Sequence, residues 1–303
     1  MSVSIYQKYL NTGVLENRAA ALMRRLSRCD ICPRNCGVDR MAGEIGFCGV
    51  GERVWVSWFG PHHGEEDPLR GTKGSGTIFF SGCNLNCLYC QNAEISQEIT
   101  GEELTNMDLA QLMLDIQGMG CHNINLVSPS HVVPQIAEAI YLAAGQGLDL
   151  PVVYNSGGYD AVDTLQKLDG FVDIYMPDMK YSDAGTGQEF SGIPLYPEVN
   201  QAAVLEMHHQ VGDLRISGTG IGKRGLLIRH LVLPNDIAGS KEILEFVAIK
   251  ISRNTYLNIM DQYNPAHLAY LKTEINRRIT SSEYQEIVEY ARSLGLVRLD
   301  QRS

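Results

Sequence analysis

The chain has 303 residues, enough for one large α/β domain with a small appendage or for two domains. Hydrophobic residues make up 44% and charged residues 20%, as in an ordinary folded protein, and a net charge of −10 without a Lys/Arg block speaks against a dedicated nucleic-acid binder. Met1 to Leu10 do not read as a signal peptide, no apolar run approaches the roughly 20 residues that span a bilayer, and the eight cysteines therefore read as reduced ligands in a cytoplasmic protein.

Residues Leu15 to Arg28 have the spacing of an amphipathic helix. It delivers the chain to Cys29, Cys32, Cys36 and Cys48, spaced C-x2-C-x3-C-x11-C, with Pro33, Gly37, Gly43, Gly46 and Gly49 allowing tight turns between them. Four cysteines in so short a segment suggest a closed four-thiolate site, with zinc as the first reading and a second iron–sulfur cluster as the next. Unligated structural cysteines are the bland alternative. Arg53 to Trp58 alternate as a strand does. The polar stretch from Gly60 to Pro68 reads as a loop, and His62 and His63 read as solvated residues ahead of ligands or acid–base groups.

The apolar run Thr77-Ile78-Phe79-Phe80 reads as a strand, and Ser81-Gly82 frees the backbone to turn at its end. Cys83, Cys87 and Cys90 follow at once, spaced C-x3-C-x2-C. An ordinary iron–sulfur cluster takes four protein ligands. Three thiolates on one loop would leave one iron open. After Cys90 the pattern alternates strand and helix. Helices are expected over Asn106–Gly118, Val132–Ala144, Asn200–Val211, Lys241–Ile251 and Ser281–Ser293. Strands are expected at Asn123–Val127, Pro151–Tyr154, Asp173–Met176, Leu226–Val232 and Thr255–Ile259, with one more at Leu296–Leu299. This predicts a parallel sheet covered by helices, with about six strands from Thr77 onward, too few for a closed eight-stranded barrel. Polar signatures recur at the carboxyl ends of these strands, where α/β proteins assemble ligand sites.

Cys83, Cys87 and Cys90, with Tyr89 before the third cysteine, resemble the cluster motif of the radical S-adenosylmethionine (SAM) enzymes. The resemblance extends over Cys29–Cys36, Gly74–Cys83, Tyr175–Tyr181, Arg229–Asn235 and Asn258–Pro265, and looks like an uncharacterised branch related to pyruvate formate-lyase activating enzyme. It implies an α/β fold, a partial (β/α)6 barrel of the radical SAM type (74–303), with a small N-terminal Cys-rich lobe (1–73). It implies a [4Fe-4S] cluster on Cys83, Cys87 and Cys90, with SAM on the open iron and reductive cleavage to a 5′-deoxyadenosyl radical. The substrate would be a glycine of a partner enzyme, or another peptide, a metabolite or a nucleic acid, and the electron donor a protein such as flavodoxin or ferredoxin. A non-catalytic iron–sulfur electron-transfer or sensor protein is the reading from a different class.

The same resemblance sorts the other candidates. Activating enzymes carry Gly-Gly-Glu-Pro after the second barrel strand, where this chain has Ser128-Pro129-Ser130-His131. Ser128 and Ser130 could still accept from an ammonium group, and His131 becomes a candidate for a branch-specific catalytic role. Asn155, Ser156 and Gly157 resemble a Thr-Asn-Gly element, giving cofactor contacts together with Tyr89 and Arg229. Asp178 and Lys180 resemble an Asp-x-Lys element. Strand alternation puts both on one face, and as a buried pair they are expected to serve the site. Of Arg229 and His230 only one can face inward. Gln262 and Tyr263 close the set, and Cys121 reads as a core thiol.

Overall fold

The structure, a computed structural model, describes residues 4–300. Among them nine strands run in chain order: β1 (Val54–His62), β2 (Ser75–Phe80), β3 (Glu102–Leu104), β4 (Ile124–Val127), β5 (Val152–Ser156), β6 (Ile174–Pro177), β7 (Arg215–Ile216), β8 (Gly222–Leu231) and β9 (Tyr256–Met260). Six of them, β2-β4-β5-β6-β8-β9, pair in parallel in that spatial order. Their apolar residues are buried on both faces, as expected of a parallel sheet with helices outside and a filled interior. The register aligns the strand ends. Phe79 stands beside Val127, Val127 beside Asn155, and Asn155 beside Met176. Loops that leave these ends therefore meet on one rim. This is the partial (β/α)6 barrel expected from the sequence.

The outer helices follow the expected spacing. Asn106–Gly118 opens with a capping box between Thr105 and Asp108, which satisfies end donors that would otherwise lack partners. Val133–Gly145 buries Ile136, Ala137, Ile140 and Ala144 on one stripe. The N-terminal helix, Val14–Arg24, buries Leu15, Ala19 and Leu22 in the same core, and the last turn to Arg28 tightens to a 3-10 helix.

The sheet runs across residue 73. β1 lies antiparallel on β2, from Val56 beside Phe80 to His62 beside Ser75, and β3 covers the other edge of β1. The reason is the edge of β2, which would expose unpaired backbone groups if β1 were elsewhere. The Cys-rich segment between Cys29 and Cys48 is thus an appendage held between a core helix and a core strand. The expected strand at 296–299 reduces to a bridge of Leu299 with Leu257. Val162–Leu168, Ala184–Ser191, β3 and β7 escaped the sequence reading because each is too short for a period to be counted. No helix among the described residues is long and apolar enough to cross a membrane.

Candidate functional site

The cysteine loop starts where β2 ends. Gly82 takes a φ of 78°, and a Cβ there would stand 2.3 Å from the Cys48 carbonyl oxygen, so only glycine fits. Each of the three following sulfurs has a hydrogen-bonding neighbour. The Leu85 amide donates to Cys83 Sγ (3.4 Å), the Ser191 hydroxyl donates to Cys87 Sγ (2.9 Å), and the Ser96 hydroxyl lies 3.1 Å from Cys90 Sγ. Ser191 also bonds the Tyr181 hydroxyl (2.7 Å), which meets the Tyr89 hydroxyl at 2.6 Å. A buried hydroxyl chain therefore ends on one candidate ligand sulfur. Burial pushes the Cys83 thiol up to about 12, with the Cys87 and Cys90 sulfurs adding to the shift, and burial raises Cys87 likewise. Binding a metal centre here must displace protons from the thiols.

Beside the loop lies a compartment of about 160 Å³, lined by Cys83, Cys87 and Cys90 but by no fourth cysteine, and by Ser128, Asn155, Ser156 and Gly157. It shares Asn155, Asp178, Lys180 and Arg229 with a larger cavity of about 520 Å³ inside the strands. Three soft donors, hydrogen bonds to their sulfurs and adjoining space for a ligand fit a [4Fe-4S] cluster with one open iron.

Asp178, Lys180 and Arg229 come together in the wall. Lys180 Nζ lies 2.7 Å from Asp178 Oδ2, and Arg229 Nη2 lies 2.8 Å from Asp178 Oδ1. Burial works against the charged carboxylate, yet Arg229 and Lys180 overcome it and hold Asp178 below its usual range. Arg229 takes the inner face of β8, while His230 turns outward to the Met179 carbonyl (2.7 Å) and the Ser240 hydroxyl (2.8 Å). The sequence reading missed the third charge partner, Glu66. It is 4% exposed, stands 4.0 Å from Arg229 and accepts from Asn258 Nδ2 at 2.9 Å. Burial raises its carboxyl, against the pull of Arg229. Glu65 and His62, 2.9 Å apart, line the same cavity, so His62 ends β1 at the site and does not sit in a detached polar loop. The run Glu65-Glu66-Asp67-Pro68 reads as polar surface because burial of an acid has no mark in sequence. Gln262 lines the cavity, whereas Tyr263 packs edge-on against Tyr89 with ring centres 5.7 Å apart.

The Ser128–His131 segment divides. Ser128 lines the compartment in a left-handed conformation, φ 58°, strained for a residue with a side chain. The Ser130 hydroxyl is bonded to Asp160, which also accepts from Ser156 (2.7 Å) and Tyr154 (2.8 Å). Ser130 and Ser156 thus brace the rim through their hydroxyls. His131 stands apart from both, lining neither the compartment nor the large cavity. It is 2% exposed behind the cysteine loop, its Nε2 2.9 Å from the Ser81 carbonyl, and its own carbonyl accepts from Arg40 Nη1 at 2.8 Å. The apolar helix start Val132-Val133 pulls it under the lobe. Burial, reinforced by Arg40, lowers its pKa to about 4.

Cys29, Cys32, Cys36 and Cys48 line a second, much smaller pocket of about 10 Å³. Burial and the three neighbouring sulfurs push Cys32 up to about 12. Among the described residues, no three Cys, His, Asp or Glu side chains at either site are drawn together closely enough to hold a metal ion as they stand. Cys121 is buried in the core as expected.

The family described as a 4Fe-4S single cluster domain matches residues 70–169, which contain the Cys83–Cys90 loop. An uncharacterised protein of Methanocaldococcus jannaschii is 28% identical over 296 residues, covering 95% of this chain and 81% of its own length. A second uncharacterised protein of that organism is 31% identical over 104 residues, covering 29% of this chain and 31% of its own. Among solved structures, a radical SAM methyltransferase from Sphaerobacter thermophilus aligns with a TM-score of 0.50 at 14% identity, covering 74% of this chain and 66% of that one. The chain shares the fold of that radical SAM enzyme, and its cysteine loop lies inside the matched cluster domain.

Proposed function

We propose that this chain is a radical SAM enzyme. The observation that carries the reading is the placement of Cys83, Cys87 and Cys90, without a fourth cysteine, on a compartment that opens into the interior of six parallel strands. Cys83, Cys87 and Cys90 would hold a [4Fe-4S] cluster, which with SAM bound would supply one-electron reductive cleavage of SAM and so the means to abstract hydrogen from a substrate. The protein contributes binding, orientation and exclusion of water. Ser191, Ser96 and the Leu85 amide direct hydrogen bonds at the sulfurs, which tune a bound cluster. Asn155 and Gly157 border the compartment where a ribose or methionine portion would lie, and Lys180 and Asp178 form the boundary with the larger cavity.

For the substrate we favour a peptide, in particular a glycine-containing loop of a partner protein, with a flavodoxin or ferredoxin as reductant. What supports it is the surplus of polar groups in the larger cavity, Glu65, Glu66, Arg229, Asn258 and Gln262, beyond what SAM requires. A charged metabolite is the competing substrate. The test is anaerobic reconstitution with iron and sulfide, reduction with dithionite in the presence of SAM, and measurement of 5′-deoxyadenosine. Product formation is expected; a fully loaded, reducible cluster that leaves SAM intact would favour an electron-transfer protein. Asp178→Asn and Lys180→Met should retain full cluster content, and the larger loss should fall on substrate-dependent turnover.

A further inference from the structure

The four cysteines between Cys29 and Cys48 take no part in the chemistry proposed above. Two features of their pocket point to a bound metal ion. Its volume, about 10 Å³, is room for roughly one water-sized atom. The compartment at Cys83 is about 160 Å³. As it stands, the first of these has room for a single ion and not for an eight-atom iron–sulfur core. The second feature is charge. Arg34 and Arg40 line this pocket, and each has a buried Nη2 with no hydrogen-bond partner. Arg40 is 1% exposed, with Nη1 3.9 Å from Cys29 Sγ. Arg34 lies over the Phe47 ring at 3.5 Å. Buried donors left idle on two guanidiniums beside four thiols, with Arg40 almost wholly buried and Arg34 partly so, are costly unless the pocket holds compensating negative charge. A divalent ion on four thiolates carries two excess negative charges, which the two guanidiniums offset.

Both arginines also reach the other cysteine loop. Arg34 Nε donates to the carbonyl of Asn84 at 2.8 Å, next to Cys83. Arg40 donates to the His131 carbonyl, and His131 bonds the Ser81 carbonyl. The Cys48 carbonyl lies against Gly82.

We propose that Cys29, Cys32, Cys36 and Cys48 bind one zinc ion as a tetrathiolate, neutralised by Arg34 and Arg40, and that the loaded lobe uses these arginines to hold the Ser81–Cys90 loop in place. The sulfurs line one pocket, and closing to Zn–S distances of about 2.3 Å takes movement of the lobe, which its glycine-rich turns allow. The link to the loop does not depend on what that loop binds.

The test uses the full chain and a variant with Cys83, Cys87 and Cys90 all changed to Ala, so that its outcome is separate from the fate of the radical SAM reading. Both proteins should retain about one zinc per chain on elemental analysis. Iron and sulfide retained by the variant, or no metal at all, would overturn the assignment. Arg40→Met and the less buried Arg34→Gln should each lose zinc to a chromogenic chelator about 10-fold more readily, with Arg40→Lys losing less than Arg40→Met. Unchanged zinc affinity in both Arg40→Met and Arg34→Gln would refute the charge role. Stripping zinc from the wild-type chain should raise amide hydrogen exchange at residues 81–90 as well as 29–48; exchange confined to 29–48 would refute the link.

Discussion

The chain carries two cysteine constellations that face each other across the Cys48–Gly82 contact, and they differ in nearly every physical respect. The Cys83 loop adjoins open interior space, has three cysteines and receives hydroxyl and amide hydrogen bonds at its sulfurs. The Cys29 lobe encloses almost no space, has four cysteines, and is faced by the guanidiniums of Arg34 and Arg40. A centre that must accept a ligand and change charge needs room and adjustable hydrogen bonding. A centre that must stay fixed is served by closure and a static counter-charge. Cysteine count alone suggests the contrast; the volumes and the arginines give it a cause.

The largest effect that would test the contrast is on the open site. Cys83→Ala, Cys87→Ala or Cys90→Ala should each abolish 5′-deoxyadenosine formation in reconstituted protein, since two thiolates under-ligate a cluster. Full activity in any of the three would remove the basis for calling this loop the reactive one. At the closed site, Cys32→Ser should lose zinc and lower the thermal midpoint by at least about 5 °C, because metal binding there contributes folding free energy. An unchanged midpoint would show that the lobe needs no metal.

Between the two sites sits His131, whose pKa is lowered to about 4 by burial first and Arg40 second. Its folded value lies below its unfolded one, so the unfolded chain binds the extra proton. Stability is therefore complete above about pH 6.5 and declines as pH falls towards about 4, by up to about 3 kcal/mol. His131→Gln should flatten that slope in denaturant titrations across the window, whereas a catalytic His131 would instead change the pH profile of turnover. The smallest expected effect concerns Ser191→Ala. Removing one hydrogen bond from Cys87 Sγ should lower the cluster reduction potential by about 40 mV, the one-electron equivalent of about 1 kcal/mol. A potential unmoved in spectroelectrochemical titration would mean that this hydroxyl does not tune the centre.

Several features were legible in the sequence because they are local. The parallel strands announce themselves by apolar runs such as Ile124–Val127, and the helices by stripes such as Leu109, Leu112, Met113 and Ile116. The three-cysteine spacing after a strand places the loop on the rim without further information. That Asp178 and Lys180 share a face follows from the two-residue period of a strand, and the same period lets only one of Arg229 and His230 face inward; which one does so is decided by the packing. Tertiary structure alone decided the rest. Glu66 becomes a buried partner of Arg229 only because β1, contributed from upstream of the cluster strand, pairs with β2. His131 lies behind the cysteine loop because the helix that follows it is drawn into the core. Ser191 reaches Cys87 across 104 positions of chain. No local pattern encodes such meetings, since burial and proximity between distant residues are set by how the layers pack, and the energy of a charge depends on what that packing puts beside it.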